Sequence, residues 1–281
     1  MPILIGAVGV KDNSAELATK LDKIQRAIMG GGAIINGGFP HNQREVSGTV
    51  VLGIGEYGHD RWRGGSAGCT YTFATLLNVT TITISAGTLE QEIEGVNLES
   101  GTWILSWTGT AQGQIDSGGF GPTGVTATLT GGTNAIVEFN TGTLAQVKLE
   151  KGSIATDYIP KTEAEELRDS LNYDIKMGST EAFASIGIGK CSSSTAARVV
   201  VNFPEPMRND NYTFITSGSF SATDTSGSIL PITDISMDNA SRKTTSVMLN
   251  ITVASGLVAG DATYIFANND VNAFIEFDNE L

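Results

Sequence analysis

Cysteine is nearly absent: Cys69 and Cys191 are the two in a chain of 281 residues. Two thiols so far apart make neither a disulfide framework nor a metal motif, and they read as free, partly buried side chains. Histidine is as scarce. His41 and His59 both fall in a glycine-rich opening block, with no cysteine or carboxylate at ligand spacing, which argues against a histidine-based metal centre. No apolar run approaches the ~20 residues of a membrane span. The opening MPILIGAVGV is apolar but short, and it lacks a basic leader and an evident cleavage site. It does not read as a signal peptide, and a soluble protein without membrane insertion is expected. Positive charge is also in short supply: 17 Lys and Arg stand against 30 Asp and Glu, a formal charge of −13. Such a surface repels phosphate backbones and sets nucleic acid aside as a partner. No Ser-His-Asp, Cys-His or phosphate-cradling motif is placed sensibly.

Glycine, by contrast, is abundant, at 34 of 281 residues, well above the usual ~7%. With plentiful Ser and Thr and only two helical segments, this predicts a mainly β chain of short strands and tight turns, long enough for two domains. The first helical segment covers residues 11–29. Asn13 caps it with Glu16 three residues on, and Val10, Leu17, Leu21, Ile24 and Ile28 keep heptad spacing. A stripe this narrow on a helix this short needs a partner. That partner is either its own β domain or a parallel bundle of copies of itself. Gly30-Gly31-Gly32 separates the helix from the domain and favours the bundle, so residues 1–33 read as an N-terminal segment with a short coiled-coil helix, and Leu17, Leu21, Ile24 and Ile28 as its oligomerisation seam.

Residues 34–161 read as the first β domain. Ile82 and Ile84 alternate with Thr, and Trp103, Leu105 and Trp107 share one strand face with Ile104 and Ser106 on the other. Strands follow near 125–129 and 135–139. In the closing run 144–158, Val147 and Leu149 are expected to point inward, with Lys148 and Glu150 outward. Residues 162–177 form the second helix, a linker opened by the capping box of Thr162 and Glu165. Residues 178–281 read as a second, smaller β-sandwich. Its β-branched run over 197–203 is stopped by Pro204 and Pro206, and its further strands lie at 211–215, 246–252, 264–266 and 273–277.

The stretch Ile34 to Trp62 organises the whole. Asn36-Gly37-Gly38 is turn chemistry, Phe39 follows at once, and Asp60-Arg61-Trp62 sets an acid, a fork donor and a large ring side by side. A half-buried Asp60–Arg61 ion pair is expected, pinning the corner of a β domain.

Several of these blocks resemble phage and prophage tail fibres. Asn36-Gly37-Gly38-Phe39, Gln43-Arg44 and Asp60-Arg61-Trp62 are similar to the opening of their jelly-roll domain. The runs 91–95 and 105–107 resemble the central strands of carbohydrate-binding-module jelly rolls, and 144–158 with Pro160 resembles the closing strand. Phe203-Pro204, Pro206-Met207-Arg208, Gly256-Leu257, Gly260-Asp261 and Glu280-Leu281 resemble the C-terminal domain of the same fibres. The family's usual Pro after Met-Arg is replaced by Asn209-Asp210-Asn211, and of the linker's paired aromatics only Tyr173 remains. The resemblance implies a homotrimer, a jelly roll, other tail proteins as neighbours, and a place in the virion tail after synthesis in the host cytoplasm. Related jelly rolls often hold a structural calcium, but no compact Asp/Asn-Gly loop here supplies its ligands, so no cofactor or metal ligand is assigned.

Sugar recognition calls for flat aromatic faces and hydroxyl-binding polar groups. Trp103 and Trp107 are the first candidates, against the alternative that they are core. Tyr57, His59 and His41 follow on the loops, then Tyr212 beside the Asn209–Asn211 turn. Glu90, Glu92 and Glu94 share a strand face, which suits either a solvated acidic surface or, less readily, glycoside hydrolysis. The expected function is attachment to host surface polysaccharide without cleavage, by a chain that is not an enzyme. The alternatives are a purely structural tail or baseplate component and a glycan depolymerase.

Overall fold

The computed structural model describes residues 32–281. The expected helix over 11–29, with Leu17, Leu21, Ile24 and Ile28, lies outside the described residues, as does the coiled coil built on it. The described chain is mainly β, with seventeen strands and one α-helix.

Eight strands make the first half: β1 (Val50–Leu52), β2 (Arg63–Leu76), β3 (Val79–Ile93), β4 (Gly101–Thr108), β5 (Gly113–Ile115), β6 (Val125–Leu129), β7 (Ala135–Phe139) and β8 (Gly142–Lys151). They run β1-β2-β3-β8-β4-β6, and β7 joins β3 to β5. Two long strands change partners midway, which folds the sheet over a core. β3 pairs with β8 through Ile82–Ile84 and with β7 through Leu89–Ile93. Between them, Gly87 sits at φ 69°, where a Cβ would stand 2.0 Å from the Gly68 carbonyl oxygen, so only glycine fits. β8 leaves β3 for β4 close to Gln146, itself at φ 53°. Trp62, Tyr71, Ile82, Leu105, Val137, Phe139, Leu144 and Leu149 fill the space between.

The opening segment lies along β8: Ala33 N donates to Leu149 O at 2.8 Å and Val147 N to Gly37 O at 2.8 Å. Opening and closing stretches therefore meet, as a closed-up sheet requires. Val147 and Leu149 are buried as the alternation predicts, but Lys148 and Glu150 do not face solvent. The segment after β8 folds back over them. Lys148 Nζ reaches Glu150 Oε2 (3.3 Å), the Thr156 hydroxyl and Asp157 O, while Glu150 accepts from Thr156 N at 2.6 Å.

The linker helix α1 (Glu163–Leu171) begins as expected, with Thr162 and Glu165 forming the reciprocal capping box. It stops six residues short of the expected end at 177. Asp174–Gly178 is instead strand β9, paired with β17 (Phe274–Asp278). Asp-Ile-Lys-Met alternates as well as it winds, and burying Ile175 against Ile275 and Phe277 outweighs helix propensity.

In the second half, β10 (Ser185–Cys191), β11 (Ala196–Asn202), β13 (Phe220–Thr223), β14 (Ile229–Met237), β15 (Ser246–Val253) and β16 (Ala262–Ala267) close into an antiparallel ring, because β16 pairs with both β10 and β13. β12 (Thr213–Ser217), β17 and β9 form a separate three-stranded sheet beside it. The expected second sandwich thus takes the form of a ring faced by a small sheet around one core that includes Val199, Leu249, Ile265 and Phe277. Cys69 and Cys191 are both free and buried, one in each half.

Candidate functional site

The opening block does more than pin a corner. Asn36, fully buried at φ 56°, donates from Nδ2 to the carbonyls of His41 and Asp60 (both 2.9 Å) and accepts from His41 N on Oδ1. The Trp62 indole donates back to Asn36 O at 3.0 Å. One asparagine thereby fixes both ends of the loop and aims Asp60, Arg61 and Arg63 at the second half. The expected Asp60–Arg61 pair is not made. Asp60 accepts instead from Gln43 N and Nε2 at 2.8 and 2.9 Å, because Arg61, at φ 70°, turns its side chain the other way.

There Arg61 is 2% exposed. It pairs with Glu280, donates to Glu92 O at 2.8 Å, and lies 3.6 Å from the centre of the Tyr173 ring. Arg63 bridges Glu90 (2.8 Å) and Glu92 (3.0 Å) and donates to Leu281 O. Arg208, from the second half, holds Glu94 of the first at 2.9 Å. The acidic strand face of Glu90, Glu92 and Glu94 is therefore a row of ion-pair acceptors. Glu90 and Glu92 hold Arg63 of their own half, which reaches Leu281 O, and Glu94 itself crosses to Arg208, so a charged seam joins the two halves. α1 is tied into the same block through Gly37 N to Glu166 Oε1 (3.2 Å) and a His41 Nε2–Glu163 O contact (3.2 Å).

The six residues expected to meet sugar do not gather into one surface, and His41 is buried against α1. Trp103 and Trp107 are each 6% exposed. Their indoles donate to Glu99 O and Ala111 O, and Trp107 packs edge-on to Phe139, so the two form no shared open platform. His59 is buried among Phe39, Tyr71 and Phe73, with Nδ1 2.9 Å from the Tyr71 hydroxyl. Burial pushes its pKa down to about 4. Tyr212 packs on Phe203 and Phe277 in the second core. Tyr57 is half-buried in the seam, its hydroxyl donating to Leu281 O at 2.7 Å and its ring flanked by Arg44 and Arg63. Core packing takes these rings because a large apolar face gains more from full burial than from half-exposure.

A cleft of about 630 Å³ opens where the first half, α1 and the second half meet. Trp103 and Tyr173 supply aromatic wall, and Glu94, Asn97, Lys161, Asp169, Asn172 and Arg208 supply charged and amide groups. Tyr173 donates to Glu94 Oε2 at 2.8 Å, and Lys161 to Asp169 Oδ2 at 2.8 Å. Burial first, then the neighbouring Glu94, raises the Tyr173 pKa, so the phenol stays protonated and donating. Of the predicted residues only Trp103 lines this cleft. The lining runs from Gly32 to Arg208, positions that no local pattern joins; Glu94 on the acidic strand face and Tyr173, the lone linker aromatic, were the visible signals. A shallower hollow of about 320 Å³ on the second half is bordered by exposed Ile188, Val200 and Tyr264.

Chemically, the cleft can hold a polar ligand with one apolar side. Its carboxylates Glu94 and Asp169 are each paired with a cation and accept hydrogen bonds from Tyr173 and Lys161. No helix among the described residues is long and apolar enough to cross a membrane. No family model matches the sequence, and no curated protein or solved structure is found to be similar to it.

Proposed function

We propose that this chain is a tail-fibre-type attachment protein that binds host surface polysaccharide in the interdomain cleft and does not cleave it. The first half is read as the jelly roll of such a fibre, and the chain as one of three in the virion tail. The observation that carries the reading is the lining of the cleft. Two aromatic walls face a set of amides, carboxylates and cations, the mixture that a sugar's C–H face and hydroxyls require. Weak sites repeated on three chains act through avidity. Cleavage is disfavoured because the acids of the cleft are committed to Arg208, Tyr173 and Lys161.

The test is titration of the full chain with polysaccharide isolated from a susceptible host. Asn97 is exposed at the cleft rim. Asn97→Ala should weaken binding several-fold, and Asn97→Trp, which fills the cleft without touching a core, should abolish it. Unchanged binding in both variants, or shortening of the polymer on incubation, would overturn the reading. A second reading, a structural tail segment that never meets the host, is favoured by the breadth of the charged seam, which suits a rigid joint. Purified protein that leaves phage adsorption to cells unaffected would decide for it.

A further inference from the structure

Four carboxylates surround Arg44 in the seam. Its guanidinium nitrogens lie 3.5 Å from Asp174, 3.6 Å from Glu276, 3.2 Å from Asp278 and 3.5 Å from Glu280. Only Asp278 takes a hydrogen bond from it; the other three contacts are longer than a direct charge-assisted hydrogen bond, so one cation is shared among four anions. Asp60 adds a fifth acid within electrostatic reach. Against these five stand Arg44 and Arg61, so acids outnumber cations by three. Lys176 does not redress this, since its ammonium is 2.8 Å from Glu45.

The strand register sharpens the problem. Asp174 on β9 stands directly opposite Asp278 on β17, and Glu276 lies two residues along the same face. Like charges directly opposite in an antiparallel pair repel. Asp174 is fully buried, yet neither of its carboxylate oxygens has a hydrogen-bond donor. A buried carboxylate that takes no hydrogen bond and faces two others calls for a cation nearer than Arg44.

We infer that Asp174, Glu276 and Asp278 form a seat for one hard divalent cation, calcium by size. One oxygen from each lies within 4.8 Å of the others. Ca–O bonds of ~2.3–2.6 Å span that separation, whereas magnesium, at ~2.0–2.1 Å, needs a tighter set. The donors are all oxygen, which disfavours zinc and copper. Asp278, with a quarter of its side chain exposed, gives the ion its way in. On loading, Arg44 moves towards Glu280 and the Tyr57 ring, both already its neighbours. The inference stands apart from glycan binding and uses none of the residues that line the cleft.

The experiment is terbium luminescence on the chelator-treated full chain, with melting curves in calcium chloride and in EDTA. Terbium emission sensitised by nearby tyrosines should saturate at one ion per chain and be displaced by calcium. Calcium should raise the melting temperature by several degrees. Asp278→Asn, nearly isosteric, should lose both effects while keeping its far-UV circular dichroism. Absence of saturable emission with a melt indifferent to calcium would overturn the inference, as would binding that survives Asp278→Asn. So would an Asp174→Asn variant that gains stability while terbium never binds the parent chain, since a proton would then be meeting the excess charge.

Discussion

Replacing Arg61 by alanine should separate the two halves energetically. The side chain is 2% exposed and serves three partners: Glu280 from the end of the second half, Glu92 O from the first, and the Tyr173 ring between them. Truncating one member of a buried ion pair costs ~3–5 kcal/mol, mostly because the other charge is left buried alone. Glu280 keeps the 3.1 Å hydrogen bond from the Arg61 backbone N–H, which alanine retains, and the longer contact to Arg44 at 3.5 Å, so the lower part of that range applies. Arg61 Nε has no acceptor in the parent chain, which offsets part of the loss. The assay is urea unfolding followed by two probes. Trp62, Trp103 and Trp107 are the three tryptophans of the chain and all belong to the first half, so their fluorescence reports that half alone, whereas circular dichroism reports both. The parent chain should unfold with coincident transitions. In Arg61→Ala they should split, and the total stability should fall by ~3 kcal/mol or more. A cycle with Glu280→Ala should return a coupling of ~1–3 kcal/mol. A loss below ~1 kcal/mol with transitions still coincident would refute the argument that this pair holds the halves together.

His59 makes stability fall on acidification. Its folded pKa is depressed from 6.5 to about 4, so the unfolded chain takes up a proton first, and the stabilisation present above pH 6.5 is lost as pH falls towards 4. The full effect is ~3 kcal/mol. Burial raises the pKa of Asp60 and Glu166, giving the opposite slope at lower pH, so the measurement is the difference between the parent and His59→Gln stability curves over pH 4–7. Thr162→Ala removes the capping box of α1 and should cost ~1 kcal/mol, read by thermal melting. Gly87→Ala places a Cβ 2.0 Å from a backbone oxygen at positive φ; a loss of ~2 kcal/mol or more in urea unfolding is expected.

What could be read in advance was whatever depends on neighbours in sequence. Alternation placed β3 around Ile82 and Ile84, β11 around Val199 and Val201, and β8 from Leu144 onward. Thr162 and Glu165 announced α1. Asn36 and the run Asp60–Trp62 marked the organising loop. What misled was always a partner far along the chain. Asp174–Gly178 became strand because β17, about a hundred residues later, offered an edge. Lys148 and Glu150 are covered by a returning segment. Arg61 passed over the adjacent Asp60 for Glu280, 219 positions away. Trp107 went to the core and Trp103, nearly buried, keeps only an edge on the cleft, which was assembled from four separate segments.

The seam and the cleft share residues, and this fixes the order of events at the proposed site. Glu94 comes from the first half and Arg208 from the second; they pair with each other and both line the cleft. A sugar bound there contacts only the docked arrangement, so it stabilises docking by linkage. At ten times its dissociation constant a ligand supplies ~1.4 kcal/mol, less than the ~3–5 kcal/mol that the Arg61 pair holds. Docking therefore does not wait on a ligand, and the cleft is preformed. Once Arg61 is replaced, the balance changes. If half the molecules are undocked, apparent affinity falls twofold, and with nine-tenths undocked it falls tenfold. Added polysaccharide should then restore coincidence of the two unfolding transitions in Arg61→Ala. Affinity unchanged in a variant whose transitions have split would place the binding surface elsewhere than between the halves.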